Sequence, residues 1–258
     1  MNDTTTDRRV IVALDFDGRE AAEALVARLG GACGFYKVGL ELLTAAGPDL
    51  VRGLVGQGHE VFLDLKLFEI PNSVAGAVRA AGALGVSVVT VHSMGGTGIM
   101  AAAVDAAREF PGLRVLALTV VTSMTASDLA DIGIGGSSGV GIGSGSGVVP
   151  GGVSTDEQVL RLARLAAEAG CDGVVGSPRE AGPLRRLLGP DRLIVTPGVT
   201  LPGVTLPGGQ AGGEAGGHAR SDTPWAAFAA GASHVVVGRS VTRAADPVAA
   251  LRRIAVGR

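Results

Sequence analysis

Aromatic residues make up only 3% of the 258 residues, with one Trp and one Tyr. A stacking platform for single-stranded nucleic acid needs several exposed rings, so the composition argues against that class. Net charge is nearly absent as well: 22 Lys and Arg face 24 Asp and Glu, which leaves −2. That balance supplies no global attraction to nucleic acid or to an anionic membrane. Cysteine is limited to Cys33 and Cys171. Two thiols cannot build a disulfide framework or a four-ligand metal site, so two buried free cysteines in a reducing compartment are expected. No run has the make-up of a membrane span. The longest uncharged stretch, 132–155, is dense in Gly and Ser, and glycine at that density opposes a helix. Residues 1–9 are polar, without the apolar centre of a signal peptide. They are expected to be a flexible N-terminus on a cytoplasmic protein.

What is present is apolar and periodic. Hydrophobic residues reach 47% and charged residues 18%, enough burial to offset chain entropy in a folded domain. Runs rich in Val, Ile and Leu recur at 10–16, 34–40, 60–66, 87–93, 114–120, 171–177, 193–199 and 234–240. Their near-continuous apolar character suits strands buried on both faces of a parallel sheet. Ala- and Leu-rich stretches with helical spacing lie between them, at 20–29, 49–57, 72–84, 99–109, 157–169, 179–188, 223–230 and 247–254. Eight strand–helix units point to an α/β fold, a (β/α)8 TIM barrel forming a single domain over 10–258. A doubly wound open sheet is the alternative, because periodicity does not report closure. In either fold, function sits at the C-terminal ends of the strands.

Two Gly-rich loops interrupt the pattern. The first, 131–152, contains ten glycines and reads as an insertion. The second, 200–222, follows strand seven and carries a five-residue duplication, Val199-Thr200-Leu201-Pro202-Gly203 and then Val204-Thr205-Leu206-Pro207-Gly208. Its place after strand seven suggests a lid.

Polar groups collect at the strand ends. Asp15 ends strand one, Lys37 lies in strand two, Asp64 and Lys66 end strand three, and Glu69 follows. Asp64 and Lys66 are two residues apart, so both point to the same face of a strand, which in a barrel is the interior. Charges there are costly unless paired. A structural ion pair needs one acid and one base; here Lys37, Asp64, Lys66 and Glu69 can converge. Such an array would hold an ammonium charged and a carboxylate ionised beside a substrate. Thr122 and Ser123 follow strand five, and His92 ends strand four, where an imidazole either hydrogen-bonds a loop or catalyses. Gly238-Arg239 at the end of strand eight reads as a phosphate site, because glycine allows close approach and arginine offers a fork.

At these positions the chain resembles the orotidine 5'-phosphate decarboxylase family. The segments that carry the resemblance are Val12-Ala13-Leu14-Asp15-Phe16, Tyr36-Lys37-Val38-Gly39, the run from Phe62 through Asp64, Lys66 and Glu69 to Ser73, and Val236-Val237-Gly238-Arg239-Ser240. The strand-three motif is the specific part, and the similarity extends over about 10–254. The resemblance implies a (β/α)8 homodimer with shared active sites, no cofactor and no metal, acting on a nucleotide and binding neither nucleic acid nor membrane. It implies that Lys66 protonates the pyrimidine carbon that loses carbon dioxide, that Asp64 sits against the substrate carboxylate, and that Lys37 bridges carboxylate and ribose. Asp15 would bind a ribose hydroxyl and Thr122 the pyrimidine edge, with Gly238 and Arg239 on the phosphate. Glu69 and Ser73 would enter the neighbouring subunit's site.

Three departures from the family pattern stand out. Phe68-Glu69 replaces His-Asp, Thr200 stands where the family has an arginine, and His218 stands where it has a phosphate-binding glutamine. They leave room for a decarboxylase of a modified pyrimidine nucleotide or a nucleotide-binding pseudoenzyme. A metal-dependent decarboxylase or aldolase on a similar barrel is a further alternative, against which Lys37 at strand two argues.

Overall fold

A computed structural model describes residues 7–134, 154–202 and 222–256. Eight parallel strands close into one barrel in sequence order: β1 (Val10–Ala13), β2 (Phe35–Gly39), β3 (Glu60–Leu67), β4 (Val88–His92), β5 (Arg114–Leu118), β6 (Gly173–Val175), β7 (Leu193–Val199) and β8 (His234–Val237). Closure occurs where β1 pairs with β8, with Ile11 opposite Val236. The open sheet is thereby excluded. The outer ring is formed by α1 (Arg19–Leu29), α2 (Leu40–Ala46), α3 (Pro48–Gly56), α4 (Pro71–Ala83), α5 (Gly96–Ala107), α6 (Ala126–Asp131), α7 (Thr155–Glu168), α8 (Ala181–Leu188), α9 (Pro224–Ala230), α10 (Arg239–Thr242) and α11 (Pro247–Val256).

The period-two pattern sorts each strand into two cores. Ile11, Ala13, Phe35, Phe62, Val88, Leu116, Leu118, Val175, Val195 and Val236 pack together inside the barrel. Their sequence neighbours, such as Val12, Tyr36, Val61, Leu63, Val89 and Val91, pack outward against the helices. This alternation makes the interior a filled core rather than a channel. Gly173 marks its tightest point: a side chain there would run into the backbone carbonyl of Leu193 on β7.

Local chemistry explains several boundaries. α7 starts at a capping box, in which the Ser154 hydroxyl accepts from the Glu157 N–H and the Glu157 carboxylate accepts from the Ser154 N–H. Gly47, at φ 73°, and Pro48 at the first helical position separate α2 from α3. Strand eight is shorter than expected, ending at Val237, and Gly238 caps α10 instead. Arg239 is therefore a helical residue, not a strand residue. Residues 7–9, expected to be flexible, are tied in: the Val235 N–H donates to the Arg9 carbonyl, and the Arg9 guanidinium lies 4.3 Å from the Phe228 ring centroid. Residues 1–6 and nearly all of the two Gly-rich loops lie outside the described residues. The second loop's base is described, with the Thr200 N–H donating to the Asp222 carbonyl at 2.9 Å. Both cysteines are buried and free. Burial raises the Cys33 thiol, and burial together with Asp172 pushes Cys171 up to about 12, which makes both inert. Among the described residues no helix is long and apolar enough to cross a membrane.

The N-terminal end of the barrel holds a small cavity of about 110 Å³ beside Phe35, Glu60, Arg114 and His234. The His234 ring meets Phe35 edge-on, and its Nδ1 is buried without a hydrogen-bond partner. Burial first, then Arg114 and Arg9 against the opposing pull of Asp7, push this imidazole down to about 4. The unfolded chain takes up a proton near ~6.5 while the folded chain resists until about 4. The stability that neutral His234 allows is therefore complete above the unfolded value and is lost as pH falls from there toward the folded one. The loss is on the order of 2–3 kcal/mol. Urea unfolding of His234→Phe should lose measurably less stability between pH 7 and pH 4.5 than the native chain. Equal losses in the two proteins would remove His234 from the acid response.

Candidate active site

The large cavity opens at the C-terminal ends of the strands and has a volume of about 670 Å³, the size of a small-ligand pocket. Asp15, Lys37, Asp64, Lys66, Thr122, Gly238 and Arg239 all line it. These seven residues, all singled out from sequence, thus share one site.

Its floor is the interior core, on which an alternating row of charges stands. Lys37 Nζ lies 2.9 Å from Asp15 Oδ1 and 3.8 Å from Asp64 Oδ2. Lys66 Nζ lies 2.9 Å from the same Asp64 Oδ2. The order along the row is Asp15, Lys37, Asp64, Lys66. Side-chain exposure is 11% at Lys37 and 13% at Asp64, against 61% at Asp15. The two central charges are therefore largely desolvated, and each depends on its neighbours for the electrostatic stabilisation that water no longer provides. Lys66, at 36%, faces the open cavity.

Strand geometry puts these groups together. Lys37 and Asp64 follow the interior residues Phe35 and Phe62 by two positions, and register aligns Lys37 with Phe62 and Gly39 with Asp64. β3 then leaves regular pairing: Leu63 pairs with Val89 but Leu67 pairs with Val91. Residues 64–66 bulge opposite Thr90 alone, and bulges are frequent beside active sites because they re-aim side chains. Lys66 takes φ 51° within this bulge, the only non-glycine with positive φ among the described residues. That conformation is uncommon for a residue with a side chain and signals a local constraint.

The remaining expectations divide. Glu69 and Ser73 are exposed and do not line the cavity of their own chain; Glu69 Oε1 accepts from the Ile70 N–H. His218 lies outside the described residues. His92 bonds a loop: its Nδ1 accepts from the Met94 N–H at 3.3 Å, which leaves the ring proton on Nε2. Burial and then the Lys66 ammonium lower its pKa, so the ring is neutral at pH 7. Sequence reasoning missed Asp17, Glu41 and Arg243, which also line the cavity, and Thr90, which lies beneath it. Only Thr90 left a trace, as a hydroxyl among the valines of Val88-Val89-Thr90-Val91. Among the described residues no three His, Cys, Asp or Glu side chains gather as a metal-binding group.

The model of the orotidine 5'-phosphate decarboxylase / HUMPS family matches residues 8–138 and 150–254. The chain belongs to this family. It is 43% identical over 249 residues to the orotidine 5'-phosphate decarboxylase of Anaeromyxobacter dehalogenans, covering 96% of this chain and 97% of that one. It is 45% identical to the enzyme of the same name from Halorhodospira halophila, covering 96% and 94%. Among solved structures, the orotidine 5'-phosphate decarboxylase of Lactobacillus acidophilus superposes with a TM-score of 0.76 at 35% identity, covering 96% of this chain and 98% of the other.

Family membership gives the departures a structural setting. Phe68, where the resemblance implies a histidine, lies with its ring 5.8 Å from that of His92, and a Cβ added at Gly95 would meet Ile99 Cδ1 at 2.5 Å and the Phe68 ring at 3.2 Å. Thr200 lines the cavity and supplies a hydroxyl where the resemblance implies an arginine.

Proposed function

We propose that this chain converts orotidine 5'-phosphate to uridine 5'-phosphate and carbon dioxide in de novo pyrimidine biosynthesis, using its own side chains and no cofactor. The observation that carries the reading is Asp64 Oδ2 held between two ammonium groups, 2.9 Å from Lys66 and 3.8 Å from Lys37, in the same cavity as Gly238 and Arg239. Curated relatives more than 40% identical over nearly their whole length bear the name of this activity.

The chemistry follows from the charges. The bond between the ring carbon and the substrate carboxylate breaks, carbon dioxide leaves, and the electron pair stays on a ring carbon with poor delocalisation. The Lys66 ammonium stabilises that pair and then transfers a proton to it, forming the new carbon–hydrogen bond. The resulting amine regains its proton from solvent at the open side of the cavity. Asp64 holds Lys66 in place and meets the departing carboxylate. Lys37, anchored by Asp15, binds that carboxylate and the ribose, and Asp15 accepts from a ribose hydroxyl. Thr122 meets the pyrimidine edge. Arg239 and Gly238 take the phosphate, so that binding energy far from the reacting carbon positions it.

The working unit is a homodimer in the cytoplasm, where Cys33 and Cys171 stay reduced. Phe68 and Ile70 are 60% and 62% exposed, and Leu40, after the neighbouring strand, is 57% exposed. Large apolar side chains left this exposed favour an interaction surface. A second copy covers them, and Glu69 and Ser73 of one protomer then reach the other protomer's cavity.

Two measurements test this. Native protein should release uridine 5'-phosphate from orotidine 5'-phosphate, and Lys66→Ala should lower kcat by about 10³-fold or more while uridine 5'-phosphate still binds. A native chain that binds the substrate and releases no product would refute the reading. The shared site is tested by mixing. Lys66→Ala and Glu69→Ala dimers, each inactive alone, should recover about a quarter of native turnover after subunit exchange, because half the dimers become hybrids with one intact site each. No recovery despite demonstrated exchange would place Glu69 in its own chain's site or outside catalysis.

A further inference from the structure

Asp64 has two carboxylate oxygens with different surroundings. Oδ2 faces the ammonium groups, whereas Oδ1 accepts from the Thr90 hydroxyl at 3.0 Å. The Thr90 oxygen in turn accepts from the Lys66 backbone N–H at 2.9 Å. Thr90 is fully buried on β4, with an exposure of 0%. We infer that Thr90 is a positioning residue for the decarboxylation: its one hydroxyl locks both members of the Asp64–Lys66 pair, a role that rests on the decarboxylase reading.

The direction of the hydrogen bonds is forced by chemistry. A backbone N–H can only donate and an ionised carboxylate can only accept. A hydroxyl between them must accept from Lys66 and donate to Asp64, so its proton has one available orientation. Asp64 Oδ1 is thereby committed to the protein frame, and Oδ2 alone is turned toward Lys66, Lys37 and the substrate. Rotating the carboxylate to exchange its oxygens would break the Thr90 bond inside the protein, where a lost partner costs more than in water.

The second bond holds the backbone. In the bulge, residues 64–66 face Thr90 alone, so Lys66 has lost its regular ladder position. The Thr90 oxygen accepts the N–H that the ladder no longer takes. Left-handed backbone at a lysine is unfavourable by about 1–2 kcal/mol and needs such a tether to persist. The carboxylate orientation and the root of the lysine side chain therefore depend on one oxygen atom. Glycine at 66 would relieve the backbone but remove the proton donor, which explains why a side chain tolerates this conformation.

The test separates positioning from folding and from the identity of the reaction. Thr90→Val keeps the shape and deletes both hydrogen bonds; Thr90→Ser keeps both. The expected result is a fall in kcat of about 10²-fold for Thr90→Val, the usual cost of misplacing a reacting group by an ångström. Its affinity for uridine 5'-phosphate should stay within about threefold of native, since the phosphate and ribose contacts are untouched. Thr90→Ser should restore kcat to within about threefold. A native kcat in Thr90→Val, or equal losses in the serine and valine variants, would overturn the inference. If the valine variant does not melt cooperatively, Thr90→Cys carries the same comparison, with reduced kcat at native nucleotide affinity expected and native kcat counting against it. A native chain without turnover would defeat the decarboxylase reading and this role with it. A native chain with turnover beside an equally active valine variant would defeat only the role.

Discussion

Asp64 is the constraint on which the rest of the site depends. One largely buried carboxylate holds two ammonium groups, and one of its own oxygens is held by Thr90. Lys37 lies at 11% exposure and takes Asp15 and Asp64 as its charged neighbours, at 2.9 and 3.8 Å. Lys66 could not be aimed without Asp64 Oδ2. Removing the carboxylate would take from the largely buried Lys37 one of its two acidic neighbours and from Lys66 its ion-pair partner, which is costlier than losing a surface ion pair. The barrel accepts these charges because they form a continuous alternating row and because its interior below them is closed by side chains.

That closure gives the two ends of the barrel different physics. At the C-terminal end the strand termini carry charge, the cavity is wide, and the fixed ammonium and guanidinium groups are pre-organised for an anionic ligand. At the N-terminal end the cavity is small, and burial keeps His234 neutral. The apolar layer of the barrel interior lies between the two ends, so His234 on β8 and the charged row on β2 and β3 belong to separate cavities.

The departures from the family pattern lie at the periphery of this row. Phe68 and Glu69 stand on the exposed turn after β3, and Thr200 stands at the base of the loop after β7. None alters Lys37, Asp64 or Lys66, which form the row itself. Phe68 meets the His92 ring and the face of Gly95.

Much of this was legible along the chain because it is local. The alternation of Phe62 and Asp64 with Leu63 and Leu65 follows from strand geometry and turns Asp64 inward in any barrel these strands form, whereas the aim of Lys66 depends on the bulge. Eight repeats of strand and helix carried the fold class for the same reason. Closure of β1 on β8, the convergence of Asp15, Lys37 and Asp64 from three strands, and the end of β8 at Val237 were settled only by tertiary structure. Each depends on register between segments distant in sequence, which no local periodicity encodes. Thr90 shows the difference most plainly. Its hydroxyl was visible among valines, but its two partners exist only because β3 bulges where β4 does not.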